Sequence, residues 1–354
     1  MRSARKPLAA KLTLLALNLA LAVTFSLLAP DEPLLNDREA YDYVGAHPLQ
    51  PSCPFSIYCY RPMAPVLVHA LPIDADTSWR VYQVTANTAA GVILAGLTTA
   101  PVLASVMIQT SYGFTFTAYD PYAADPLVFV FAALLIWCWH NDRVRLAIGL
   151  AAIGIFAKET VALVAGALAI AALVTRQPRW LMPAVISGTL LATFHVVSRV
   201  WLGWEIASNP AAQLSHGSWL GLWLRNNPSH LSKLYMLFAV FGFAWIFAVL
   251  GCRHAETRWR ALAIGTIPPM LLLIVAQTPE RAISNAFYVV VPLAAMVVAS
   301  APVTGTIAVV LNGLVTAKAG TSSAWLPSAK WTLIPAAIAA AVLVVGALKN
   351  ERRP

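Results

Sequence analysis

LTLLALNLALAVTFSLLA, residues 12–29, follows the basic leader MRSARKPLAAK, and its reading decides the fold. It carries no charged side chain. At a helical rise of about 1.5 Å per residue it covers about 27 Å, close to a bilayer hydrocarbon core of about 30 Å. Arg2, Arg5, Lys6 and Lys11 precede it and are expected to stay in the cytoplasm. The whole resembles a secretory signal. However, Leu27 and Leu28 stand where small residues precede a cleavage site, and Pro30 follows, so residues 8–29 read as an uncleaved first transmembrane helix.

The rest of the chain repeats this pattern. Of its 354 residues 59% are hydrophobic and 11% charged, with mean hydropathy +0.70, which excludes an ordinary soluble domain. Further apolar runs are too long for strands and lack their period-two alternation, so the fold class expected is all-α, a polytopic transmembrane bundle. The net charge of +9 does not point to nucleic acid, because the cations lie in short clusters between apolar runs. They read as topology signals.

Following the cations gives about 12 crossings in a single integral membrane domain, residues 1–354, with both termini cytoplasmic. Residues 30–80 are expected to form a first outer loop, in which 63–71 is too short to span and lies along the interface or dips into the bilayer. Spans are expected at 81–97, 101–115 and 127–139. The run 146–174 is interrupted by Lys158 and Glu159, and a charge at the bilayer centre costs about 2.5 to 3.5 kcal/mol, so two short helices meeting near the outer face fit it better than one. Later spans are 181–201, 233–250, 261–276, 283–300, 303–316 and a last one from Trp331, with a second outer loop at 202–232 rich in Trp, Asn, Pro and His. No internal repeat is evident.

This path places Asp37, Glu39, Asp42, Arg61, Asp120, Asp125, Lys158, Glu159, Glu280 and Arg281 on or near the outer face. Ionisable groups in membrane segments are functional candidates. A carboxylate there can take a hydroxyl proton, while Arg and Lys can hold a phosphate. Asp37 is the first choice as base, or else a solvated loop carboxylate beside Arg38. Asp120 is a site residue or an Asp-Pro turn former, and Asp125 a site residue or a helix N-cap. Cys53 and Cys59 share the first loop and are either bridged or two thiols. The histidines show no metal-ligand spacing.

The acidic first loop (Asp37 to Tyr43), the segment PFSIYCYRPMAPVL, the loop from Asp120 to Pro126, the FAKET break and the TPER turn together resemble the polytopic GT-C glycosyltransferases, most of all small bacterial members without a soluble carboxy-terminal domain. The resemblance implies inverting transfer of a sugar from a polyprenyl-phosphate donor to a glycan, lipid or protein acceptor. It makes Asp37 the base, with Arg61, Tyr60, Asp120, Lys158, Glu159, Glu280 and Arg281 around the substrate. Some members use a divalent metal, for which Asp120 or Asp125 would be ligands; Asp37-Arg38 replaces the paired acids of several members, and metal-free chemistry is expected. The short loops and Ala-rich helices suit a bacterial inner membrane, with the site on the periplasmic or extracellular side. A transporter or lipid flippase, or a non-catalytic assembly subunit on the same fold, are the rival readings.

Overall fold

The structure, a computed structural model, describes residues 8–29, 37–204, 229–276, 279–321 and 326–351. Every element among them is helical and no strand occurs. In chain order these are α1 (Leu8–Leu28), α2 (Arg38–Ala46), α3 (Ser56–Cys59), α4 (Met63–His69), α5 (Ala75–Ala95), α6 (Pro101–Thr110), α7 (Tyr112–Tyr119), α8 (Asp125–Asn141), α9 (Val144–Gly154) and α10 (Thr160–Val174). A short 3₁₀ turn at Pro178–Leu181 leads into α11 (Met182–Leu202). There follow α12 (His230–Ala239), α13 (Ala244–His254), α14 (Thr257–Ala276), α15 (Pro279–Ser284), α16 (Phe287–Ala299), α17 (Pro302–Thr321) and α18 (Ala329–Glu351). Most of the second outer loop lies outside the described residues.

Among the described residues four helical stretches are long and apolar enough to cross a membrane: Leu8–Leu28, Pro178–Leu202, Pro302–Thr321 and Trp331–Leu348. A fifth arises if Lys233–Ala239 and Ala244–His254, bent by 55°, count as one span. The remaining apolar helices are shorter, so the chain is less regular than a bundle of straight crossings. The expected span 101–115 is divided at Ser111, whose extended ψ of 152° ends α6. The expected span 233–250 is divided at Gly242, which takes the left-handed φ of 55° that favours glycine. The expected span 283–300 is divided after Ser284, where Ser284 and Asn285 turn their side chains back onto the Arg281 carbonyl and compete with the helix.

A broken helix in an apolar interior needs partners for its freed backbone groups. The breaks at Ser111 and Gly242 meet each other and α17. Tyr112 N donates to Val240 O at 3.2 Å. The amide of Asn312 on α17 accepts from Phe243 N at 2.7 Å and donates to Phe241 O at 3.1 Å, and Thr316 Oγ1 donates to Thr110 O at 2.7 Å. Asn312→Leu, which leaves two buried groups unmet at about 1 to 3 kcal/mol each, is therefore expected to lower stability by about 2 to 6 kcal/mol. Denaturant unfolding in mixed micelles measures this, and an unchanged midpoint would show that the break is held by other means.

Close helix contacts complete the core. A Cβ on Gly251 of α13 would sit 2.0 Å from Leu293 O of α16, and one on Gly265 of α14 would sit 2.3 Å from Ala167 O of α10. A buried amide chain joins α1, α6 and α5: Asn18 Nδ2 donates to Ser105 Oγ at 2.8 Å, and Gln109 Nε2 donates to Asn18 Oδ1 at 3.0 Å and to Asn87 O at 2.9 Å. Such bonds fix the rotation of helices that would otherwise slide in an apolar medium. At the far end of α8, Arg258 donates to the terminal carbonyls of Trp139 and His140, a cationic C-cap.

Candidate functional site

The first loop is tied down before it presents any chemistry. Cys53 and Cys59 are joined by a disulfide, which settles the alternative left open by their spacing. Ser52 N donates to Leu202 O at 2.7 Å and Trp204 Nε1 donates to Gln50 O at 2.8 Å, so the loop is pinned to the end of α11. Met63 N donates to Phe156 O at 3.1 Å, which sets the start of α4 against the break between α9 and α10. Arg61 is thereby delivered to Glu159: its Nε and Nη2 reach the two carboxylate oxygens at 3.0 and 2.5 Å, a two-pronged pair that Arg geometry favours. α4 is a short helix within the run 63–71 expected to be too short to span, and the Lys158-Glu159 break falls between two short helices as expected.

Asp125, the first residue of α8, is the hub. Its Oδ1 accepts from Lys158 Nζ at 2.8 Å and its Oδ2 from Arg281 Nη2 at 3.0 Å. Lys158 is 3% exposed, whereas the Arg281 side chain keeps 31% of its surface open and lies 5.0 Å from the ring centre of Phe116. One carboxylate thus joins three parts of the chain at the helix end where the α7–α8 loop, the α9–α10 break and α15 meet.

Asp37 stands at the N-cap of α2 but makes no capping bond there. Its Oδ1 instead accepts from Tyr58 Oη at 2.6 Å. The Tyr58 ring meets Tyr41 edge-on at 5.1 Å between centres, and Tyr41 is buried between Tyr58 and Trp79. The charge of Asp37 is felt by Tyr41, Asp120 and Arg281, so it belongs to the same cluster as Asp125.

Asp120, in the loop between α7 and α8, is 6% exposed, and its Oδ1 has no hydrogen-bond partner among the described residues. Burial raises its carboxyl to about 7; Arg281 works against that rise, while Asp37 and Asp125 add to it. The linkage has a definite sign. Above the unfolded value of 3.8 the unfolded chain releases this proton while the folded chain holds it, so the site loses stability as pH rises through about 7. Asp120→Asn cannot ionise and is expected to gain on the wild type across that window, by about 2 to 4 kcal/mol above it and by nothing below pH 4. Unfolding midpoints of the two proteins at pH 4 and pH 8 test this; a gap that is the same at both values would contradict it.

Of the residues expected around a substrate, Arg61, Asp120, Lys158, Glu159 and Arg281 come together with Asp37. Glu280 is buried in the first turn of α15 beside them. Tyr60 does not join them. Its ring stacks on His195 at 4.2 Å and meets Phe194 and Trp204 edge-on. Lys158 and Arg61, expected to reach a phosphate, are both taken up by carboxylates. Asp125, read from the sequence as a site residue or a helix N-cap, takes the central place, and Tyr58 and Tyr41 are members that the sequence does not single out. The aromatic crowding around Arg61 is the one sign of them in the chain.

The donor set does not fit a divalent cation. Both oxygens of Asp125 are held by cations, and among the described residues no group of three or more His, Cys, Asp or Glu is placed to hold a metal ion. What remains is an open carboxylate, a buried carboxyl near its neutral point and a half-open guanidinium, an arrangement able to accept a proton and hold an anion. No family model, no curated protein and no solved structure matches this chain.

Proposed function

We propose that the protein is a membrane glycosyltransferase that moves a sugar from a polyprenyl-phosphate donor to a glycan, lipid or protein acceptor at the outer face of the membrane. The observation that carries this reading is the convergence of Asp37, Arg61, Asp120, Asp125, Lys158, Glu159 and Arg281, from well-separated parts of the chain, at one end of an apolar helical bundle. The likeness to GT-C enzymes, the count of about 12 crossings with broken spans included, the cytoplasmic termini and a bacterial inner membrane belong to the same proposal.

In this mechanism an acceptor hydroxyl oxygen attacks the anomeric carbon while the bond from that carbon to the phosphate oxygen breaks, its electron pair leaving with the phosphate. The configuration inverts. Asp37 takes the hydroxyl proton through the oxygen not engaged by Tyr58. Arg281 contacts the leaving phosphate with its open face, and Lys158 acts through Asp125 to aim it. Apart from Glu280, the four carboxylates Asp37, Asp120, Asp125 and Glu159 face three cations, Arg61, Lys158 and Arg281, so these seven groups sum to zero when Asp120 holds its proton. A neutral site can admit a phosphate monoanion at low electrostatic cost.

The broken helices bear on the transport alternative. In transporters, unwound backbone groups at such breaks bind substrate and ions. Here Asn312, Thr316 and the breaks themselves take up those groups. Polyprenyl monophosphate binding to the protein in nanodiscs tests the phosphate assignment: Arg281→Gln is expected to weaken it roughly tenfold, the loss of one charge-assisted contact of about 1.5 kcal/mol. Unchanged binding would remove Arg281 from the site.

A further inference from the structure

A second charged feature lies at the other end of α8. From Asp125 to Asn141 the helix rises about 24 Å, which places its far end at the opposite face of the bundle. There a groove of about 660 Å³ is lined by Trp137, Asp142, Arg143, Val144, Arg145, Leu146 and Arg179. Asp142, in a left-handed turn at φ 58°, accepts from Arg179 Nη2 at 2.8 and 2.6 Å and from Trp180 Nε1 at 3.3 Å, so Arg179 is held in place and largely neutralised. Arg143 and Arg145 are exposed and make no ion pair among the described residues. The groove therefore carries two uncompensated positive charges.

Its remaining walls are apolar, and they continue. Leu146 is 49% exposed, Leu150 is half-buried and Ile153 is 55% exposed. These residues repeat at helical spacing along one face of α9 and form an apolar track leading from the arginines toward the middle of the bundle. Trp137 stands where an aromatic side chain anchors a helix at the membrane interface. A free anion would use the arginines alone, whereas a molecule with a charged head and an acyl tail uses both parts.

We propose that this groove is a binding site for an anionic phospholipid of the leaflet opposite the ionic cluster, with the headgroup phosphate between Arg143 and Arg145 and an acyl chain along Leu146, Leu150 and Ile153. The site rests on the membrane placement of the bundle and is independent of the sugar-transfer reading. Clusters of arginine and lysine at the cytoplasmic ends of spanning helices attract acidic lipids, at about fivefold in affinity per charge.

The test is native mass spectrometry of the full chain in non-ionic detergent, with phosphatidylglycerol or phosphatidylcholine of matched acyl chains. Phosphatidylglycerol is expected to be retained on the order of twenty-five-fold better, at about fivefold for each of the two arginines. R143Q/R145Q is expected to lose that preference and R143K/R145K to keep most of it. Should the double glutamine variant not extract as a folded protein, R145Q alone is expected to lose about fivefold. Equal retention of the two lipids, or an undiminished preference in the glutamine variants, overturns the proposal. So does displacement of the lipid by inorganic phosphate at the same concentration, which would make this a site for free anions.

Discussion

Asp125→Asn is expected to cost the fold about 3 to 5 kcal/mol, the loss seen when one partner of a buried ion pair is removed. Lys158 is 3% exposed, and once Asp125 is neutral its ammonium has no carboxylate at hydrogen-bond distance among the described residues. It must then lose its proton or draw in water. Arg281 suffers less, because its side chain is 31% exposed and can turn toward solvent or Asp120. The asymmetry gives the prediction a control. Asp125→Leu combined with Lys158→Met removes both buried charges and is expected to recover much of the lost stability, since apolar replacement of a whole buried pair is often neutral. Denaturant midpoints in mixed micelles measure both variants. Equal destabilisation of the single and double variants would mean that Asp125 matters through packing and not through charge.

Asp37→Asn is expected to lower turnover by about 10²- to 10⁴-fold, the range for removal of a general base. Asn fills the same space and can still accept from Tyr58 Oη, so the first loop keeps its anchor. Donor binding is expected to stay within about twofold of wild type, because the change acts on the proton and not on the phosphate contact. The two parameters separate the roles. A variant that lost donor affinity and kept its maximal rate would make Asp37 a binding residue. Tyr58→Phe is the companion change: it frees Asp37 Oδ1 and leaves the carboxylate in place, with a smaller loss expected than for Asp37→Asn.

What the chain discloses of its fold follows from where charge interrupts apolar composition. Lys158 and Glu159 break a long apolar run, and the cost of burying charge announces two helices; Val144–Gly154 and Thr160–Val174 are the outcome. The short helix Met63–His69 is legible for a similar reason, since the nine-residue run 63–71 cannot span about 30 Å. The breaks at Ser111 and Gly242 carry no such mark. Serine and glycine occur freely in membrane helices, and the residue that makes the second break tolerable, Asn312, is 69 positions from Phe243. Local composition cannot show so distant a partner.

The candidate site divides in the same way. The expected parity of crossings puts Asp37, Asp120, Lys158 and Arg281 on one face, but does not say which charges neutralise which. Asp125 reads equally as an N-cap, yet it binds Lys158 and Arg281 across 33 and 156 positions of chain. Tyr60 and Arg61 are neighbours in sequence and serve different clusters, one aromatic and one ionic. That division depends on the conformation at the end of α3, which the disulfide and the contacts of Ser52 and Trp204 fix from outside the segment.

The most direct measurement is the release of polyprenyl phosphate from a panel of polyprenyl-phosphate monosaccharides by the purified protein in nanodiscs, with a mixed acceptor extract from the same membranes. For at least one donor the wild type is expected to release polyprenyl phosphate and form a glycosylated product of inverted anomeric configuration, with Asp37→Asn slower by at least about a hundredfold. Release no faster than in empty nanodiscs across the panel, or equal rates for wild type and Asp37→Asn, would contradict sugar transfer at this site.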